Sequence, residues 1–275
     1  MIKQINDDFD LERIAQSGQC FRWHPQADGS YRIMHGEACV YVEQLDSMHF
    51  RFDCDEVAFK EVWRDYFDLN ESYSAIRARV DEESDPFLWR ASECEKGIRI
   101  LRQDPWETLI SFIISQNRNI PAICRSIELL AEAAGEEAED RRGRMYRCFP
   151  SAEAVASLTQ DALLRCKLGY RWKYVKSAAE AILEGLFDLE ALKDVTDEEA
   201  MASLVQLPGV GPKVASCVAL FGLHQLDAFP VDTWMRKVLS NEYPQGYPFE
   251  KYSPYNGIFQ QYLFAYYRNR LSALK

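Results

Sequence analysis

The hydrophobic period of this chain changes once, near Glu56, and that change restricts the fold more than any other feature. Between Cys20 and Asp53, apolar and polar residues alternate through CFRWH, SYRIMHG, ACVYVEQ and MHFRFD, with a turn at Ala27-Asp28-Gly29-Ser30. Period-two patterning broken by an Asp-Gly turn predicts antiparallel strands. From Glu56 the spacing lengthens: EVAFKEVWRDYF and SYSAIRARV place apolar residues three and four apart, which is helical. After Asp85-Pro86 nearly everything reads as helix. PWETLISFIISQN opens with Pro105 at a first-turn position and is apolar enough to be a central buried helix. RWKYVKSAAEAILEG ends in Gly185, a C-cap residue, and DEEAMASLVQ begins with an acidic first turn. Strands first and helices afterwards predict an α+β protein: an N-terminal antiparallel β-sheet subdomain with flanking helices over 1–85, packed on a mostly α-helical core over 86–275. No internal repeat or low-complexity linker interrupts it.

A chain of 275 residues, 47% hydrophobic and 27% charged, can bury a substantial core and is neither disordered nor coiled-coil in composition. The start, MIKQINDDFDLERIAQ, is charged throughout, and no apolar run reaches the ~18 residues of a membrane span. An intracellular, unanchored protein is expected. Cys20, Cys39, Cys54, Cys94, Cys124, Cys148, Cys166 and Cys217 are widely spaced, with no C-x-x-C pair, so no zinc site or iron–sulfur cluster is expected and free thiols suit a reducing compartment. A formal net charge of −11 argues against indiscriminate phosphate binding, which needs Lys and Arg. Distribution matters more: Ala162 to Ala179 carries no acid and gathers Arg165, Lys167, Arg171, Lys173 and Lys176. A solvated charge run on one helix face accounts equally well for that cluster taken alone.

Leu207-Pro208-Gly209-Val210-Gly211-Pro212-Lys213 lies between two helical stretches, DEEAMASLVQ and VASCVALFG. Two glycines around one apolar residue let the backbone turn tightly and present consecutive N–H groups at the start of the next helix, where one phosphate of a DNA strand can sit. Such a contact positions a duplex without reading its sequence. A plain helix–helix turn is the bland alternative, and hairpins of this kind also serve proteins with no catalytic activity. Lys213 then opens a largely apolar helix, and a lysine amine in low-dielectric surroundings gives up its proton near neutral pH and becomes a nucleophile. Farther on, Phe229-Pro230-Val231-Asp232-Thr233 presents Asp232 where a new helix, WMRKVLSN, starts. An ordinary N-cap explains Asp232 by itself, and a phosphate contact or a snorkelling side chain explains Lys213.

Taken together, LPGVGPKVASCVALFG followed by FPVD resembles the signature of the helix-hairpin-helix DNA glycosylases, with the hairpin at about 199–222. SGQCFRW (Ser17 to Trp23), DPWETLISFIISQNRNI (Asp104 to Ile120), LGYRWKYV (Leu168 to Val175) and YLFAYYR (Tyr262 to Arg268) resemble the 8-oxoguanine branch of that superfamily, so the resemblance spans most of the chain. It implies a bifunctional glycosylase and abasic-site lyase that flips oxidised guanine out of double-stranded DNA. In that mapping Lys213 is the nucleophile and Asp232 the essential carboxylate. Gly18 offers its carbonyl to the ring N–H that marks 8-oxoguanine, Cys217 and Phe264 sandwich the base, and Gln260 addresses its pairing edge. Asn117 and Tyr170 fill the gap left in the duplex, Arg171 lies near the unpaired partner base, and Gly209, Val210 and Gly211 form the phosphate turn. No metal or organic cofactor is implied, and no second subunit; a monomer placed at the nucleoid or in the nucleus is expected.

Two positions depart from the pattern. Members that insist on cytosine opposite the lesion carry an arginine where this chain reads Pro121-Ala122, which implies relaxed selectivity, and Trp234 stands in place of a histidine. Among competing readings, a monofunctional alkylated-base glycosylase keeps the aspartate but has no lysine nucleophile. A noncatalytic hairpin module leaves FPVD and SGQCFRW unexplained. The iron–sulfur branch needs a cysteine cluster that is missing here.

Overall fold

A computed structural model of the protein describes residues 1–272. The alternating N-terminal segment forms β2 (Trp23–Pro25), β3 (Tyr31–His35), β4 (Ala38–Gln44) and β5 (His49–Phe52), with the Asp28-Gly29 turn joining β2 to β3. β1 (Ile2–Gln4) completes an antiparallel sheet of order β1-β5-β4-β3-β2. Ile33, Val40, Val42, Phe50 and Phe52, each with 0% exposure, face a core shared with Phe9, Trp63 and Phe67. Side chains of this size stabilise the fold by about 1.5–3 kcal/mol each on full burial. The helical segment that follows the sheet contains one π turn, Phe59–Trp63, which places Phe59 and Trp63 on that core.

Among the described residues, eight helices have eight or more residues: α1 (Pro86–Cys94), α2 (Pro105–Ser115), α3 (Ile120–Ala134), α4 (Trp172–Leu183), α5 (Asp197–Leu204), α6 (Pro212–Phe221), α7 (Thr233–Glu242) and α8 (Asn256–Ser272). Their starts follow local chemistry. Asp104 caps α2 ahead of Pro105, Asn119 caps α3, and Thr196 and Glu199 form a reciprocal capping box on α5. α2 and α6, the most apolar segments, pack against each other at the centre, with Phe112 and Phe221 stacked at 5.5 Å.

The sheet and the helices are fastened at two places. Arg22, 2% exposed, donates from Nε to Glu128 Oε1 on α3 at 3.0 Å and from its guanidinium to the Arg147 carbonyl. A second antiparallel hairpin, β6 (Glu137–Glu139) and β7 (Met145–Arg147), interrupts the run read as helical. It returns to the sheet: Tyr41 Oη donates to Asp140 at 2.7 Å, and the Arg142 guanidinium stands 3.6 Å over the Tyr41 ring. Of the acids from Glu136 to Asp140, only Asp140 is turned inward, against Arg32 of β3, while exposed Glu137 pairs with Arg147 of the same hairpin, which relieves their repulsion.

Burial alone would raise the Glu128 carboxyl, but the nearby His24 ring at 3.4 Å and the hydrogen-bonded Arg22 guanidinium outweigh it and hold the group at about 2. An unfolded glutamate titrates near 4.3. A depressed folded value means stability that is complete above about pH 4–5 and lost as the pH falls toward 2. The gap in urea midpoint between wild type and Glu128→Gln should accordingly be wide at pH 7 and narrow at pH 3.

Candidate active site

One pocket lies where the sheet-side loop, α2, α6 and α8 converge, and Gly18, Phe112, Lys213, Cys217, Asp232, Gln260 and Phe264 line it. Lys213 occupies the first turn of α6, preceded by Pro212, so its side chain leaves the helix at the hairpin and enters the pocket. Its Nζ stands 5.0 Å from the centre of the Phe112 ring. Cys217 follows one helical turn later and is 3% exposed. Burial pushes its thiol up; the nearby Lys213 amine counters this and the Asp232 carboxylate adds to it, so all three groups share one electrostatic environment.

Asp232 caps α7: Oδ1 accepts from Trp234 N at 2.9 Å and from Met235 N at 2.8 Å. Both bonds fall on the same oxygen. The cap fixes the carboxylate while Oδ2 is not consumed by it, so capping and chemistry are compatible at this residue.

Gly18 has φ +81, and a Cβ there would meet Phe264 Cε1 at 3.9 Å. A left-handed backbone lets the loop lay its peptide groups against the pocket, a conformation that glycine adopts at little cost. Buried Gln19 braces this loop. Its amide donates to Ser17 Oγ and to the Arg99 carbonyl, both at 2.8 Å, and accepts from Leu101 N at 2.8 Å. Across the pocket, the Arg268 guanidinium stands 5.2 Å over the Phe264 ring. Gln260, 2% exposed, donates from Nε2 to the Pro230 carbonyl at 3.0 Å.

The hairpin Gly209-Val210-Gly211 runs directly into α6, which carries Lys213, and packs against a second group of residues around Gln116 and Tyr174. Gln116 Nε2 donates to the Gly209 carbonyl at 3.0 Å, and Arg171 Nε donates to the Gln116 carbonyl at 2.9 Å. These two bonds join the hairpin, the loop of Asn117 and the turn of Tyr170 into one surface. Asn117 has φ +52, a region in which asparagine is several-fold enriched, and Tyr170 is 52% exposed. Arg171, by contrast, is 7% exposed and sits 4.5 Å from the Tyr170 ring. Its guanidinium is committed to backbone carbonyls rather than held out as a free charge. Lys176 is likewise turned inward, donating to the Ala156 and Leu158 carbonyls. Of the basic run, Arg165, Lys167 and Lys173 remain exposed.

Residues 1–109 match the family described as the N-terminal domain of 8-oxoguanine DNA glycosylase, and residues 110–244 match the HhH-GPD superfamily of base excision DNA repair proteins. The N-glycosylase/DNA lyase of Saccharomyces cerevisiae is 33% identical over 257 residues, covering 85% of this chain and 68% of that protein. The chain belongs to the 8-oxoguanine DNA glycosylase family. The N-glycosylase/DNA lyase OGG1 of Arabidopsis thaliana, in the same family, is 29% identical over 263 residues, covering 87% of this chain and 68% of that one. Clostridium acetobutylicum 8-oxoguanine glycosylase/lyase, in complex with double-stranded DNA containing cytosine opposite 8-oxoG, superposes with a TM-score of 0.89 at 37% identity over 98% of each chain.

In this 8-oxoguanine DNA glycosylase family member the pocket gathers six of the twelve residues singled out from the sequence, Gly18, Lys213, Cys217, Asp232, Gln260 and Phe264, although they lie far apart along the chain, and the six expected DNA contacts lie outside it. Two polar residues escape sequence reading, Gln19 and Gln261, since burial of a glutamine leaves no periodic signal. Among the described residues no group of His, Cys, Asp or Glu could hold a metal ion, and no helix is long and apolar enough to cross a membrane. The hairpin allows a sharp test. Gly209 has φ +82, and a Cβ added there would fall 2.2 Å from Tyr174 Cγ. Gly209→Ala should cost about 2–3 kcal/mol and lower Tm by roughly 5–10 °C in a thermal melt. Affinity for undamaged duplex should fall with it, as read by a filter or anisotropy titration.

Proposed function

We propose that this protein excises 8-oxoguanine from duplex DNA and then nicks the strand by β-elimination through a Schiff base on Lys213. The observation that carries this reading is the shared pocket of Lys213 and Asp232, lined by Gly18, Cys217, Gln260 and Phe264, with Lys213 in the first helical turn after the glycine hairpin.

The hairpin grips one phosphate with backbone N–H groups at the start of α6, so the phosphate fixes the strand relative to Lys213. Asn117 and Tyr170 occupy the space that the extruded nucleotide vacates, compensating part of the few kcal/mol lost in unstacking. Arg171 serves this surface from beneath, holding the Asn117 loop. In the pocket Cys217 and Phe264 take the two faces of the base, the Gly18 carbonyl accepts its N7–H, and Gln260 meets its pairing edge. Lys213 attacks C1′ as its unprotonated amine while the C1′–N9 bond breaks and the base leaves with the electron pair. Asp232 lies against the positive charge that develops on the sugar and lowers its energy. Opening of the sugar ring gives the iminium; loss of a C2′ proton then expels the 3′ phosphate. Pro121 and Ala122 offer no guanidinium to the partner base, so selectivity for the opposite base is relaxed. The sheet-bearing part, 1–85, and the part that follows it, helical over most of its described residues, work as one monomer on the duplex inside the cell.

A labelled duplex with one 8-oxoguanine opposite cytosine tests the reading. Nicking at the lesion, absent from undamaged duplex, is expected. Base release without nicking would indicate a monofunctional enzyme, and binding with neither would indicate a noncatalytic module.

A further inference from the structure

The next residue on α8, Gln261, also lines the pocket and is 4% exposed. Its Nε2 donates to Gln260 Oε1 at 2.9 Å, whereas its own Oε1 has less than 1 Å² of accessible surface and no partner among the described residues. The orientation of both amides follows from a single group. The Pro230 carbonyl can only accept, so Gln260 must present Nε2 to it and turn Oε1 away. That oxygen must in turn receive the Nε2 of Gln261, and the Gln261 oxygen is what remains. Flipping either amide would set two oxygens against each other. An orphaned acceptor in a buried wall is costly unless something supplies a donor.

We infer that Gln261 is a second base-reading residue, whose Oε1 accepts a hydrogen bond from the exocyclic amine of an extruded guanine-type purine while its Nε2 stays bonded to the Gln260 amide that Pro230 orients. The relay then offers, in order, the second Nε2 hydrogen of Gln260, the remaining lone pair of Gln260 Oε1 and the Oε1 of Gln261. A guanine pairing edge presents the complement: an O6 acceptor, the N1–H donor and the 2-amino donor. This rests on the assignment of the pocket to the base under Proposed function, and it adds the 2-amino group as a recognised feature.

The test crosses the protein change with the matching change in the base, which isolates the pair from any general damage. Single-turnover base release is measured for wild type and Gln261→Leu on duplexes holding 8-oxoguanine or 8-oxohypoxanthine, which lacks the 2-amino group. Borohydride trapping on an abasic duplex, which holds no base, reports the fold and Lys213. Wild type should prefer 8-oxoguanine by about tenfold, the worth of one buried hydrogen bond. Gln261→Leu should trap the abasic site normally and release the two bases at nearly equal rates. A preference that survives in the variant overturns the inference, as does an equal fall on both bases. If Gln261→Leu fails to trap, Gln261→Met is read by the same criteria. A wild-type chain that traps the abasic site yet releases neither base overturns the base assignment itself, and this inference with it.

Discussion

Lys213→Gln is expected to lower both base release and strand nicking by at least ~10³-fold while the protein stays folded. Glutamine keeps the length and polarity of the side chain but cannot form a bond to C1′. Lys213 is only partly buried, at the first turn of a helix whose later residues carry the packing, so little stability depends on its amine. Its contact with the Phe112 ring, at 5.0 Å, contributes at most about 1 kcal/mol. A thermal melt within a few degrees of wild type, beside rates near background in a gel assay of the lesion duplex, is the predicted pair of results.

Asp232→Asn is expected to separate the two roles of that residue. Asparagine caps a helix about as well as aspartate, and Oδ1 alone receives both N–H groups of α7, so stability should move by less than about 1 kcal/mol. Removing the negative charge takes away the group that faces the developing positive sugar, and groups of that kind carry about 10²–10³ in rate. Single-turnover excision should therefore fall by that factor at unchanged Tm. Asp232→Ala, which loses the cap as well, should lose activity and about 1 kcal/mol together.

What could be read from the sequence was whatever rests on local chemistry. The alternation from Cys20 to Asp53, Pro105 at the start of α2 and the acidic first turn of α5 each declare an element through neighbouring residues. The pocket residues were legible through resemblance, because none of Gly18, Cys217 or Gln260 carries a signal by itself. β1 and the β6–β7 hairpin were not legible: strands of three residues are too short to show a period, and they form because β5 and Tyr41 stand ready to receive them. The inward turn of Arg171 and Lys176 was hidden for a related reason. A basic run looks the same whether its charges meet water or the carbonyls of a neighbouring turn, and only the packing of α4 decides. The amide chain from Pro230 through Gln260 to Gln261 is likewise a product of tertiary approach between the strand-like FPVD segment and α8.

The central claim is that Lys213 forms the covalent bond to the sugar, and mapping the borohydride-trapped adduct tests it most directly. Wild-type protein reduced on an 8-oxoguanine duplex, digested and sequenced by mass spectrometry should carry the nucleotide remnant on the peptide containing Lys213. An adduct on the N-terminal amine or on another lysine, or efficient base release with no adduct at all, would contradict the account.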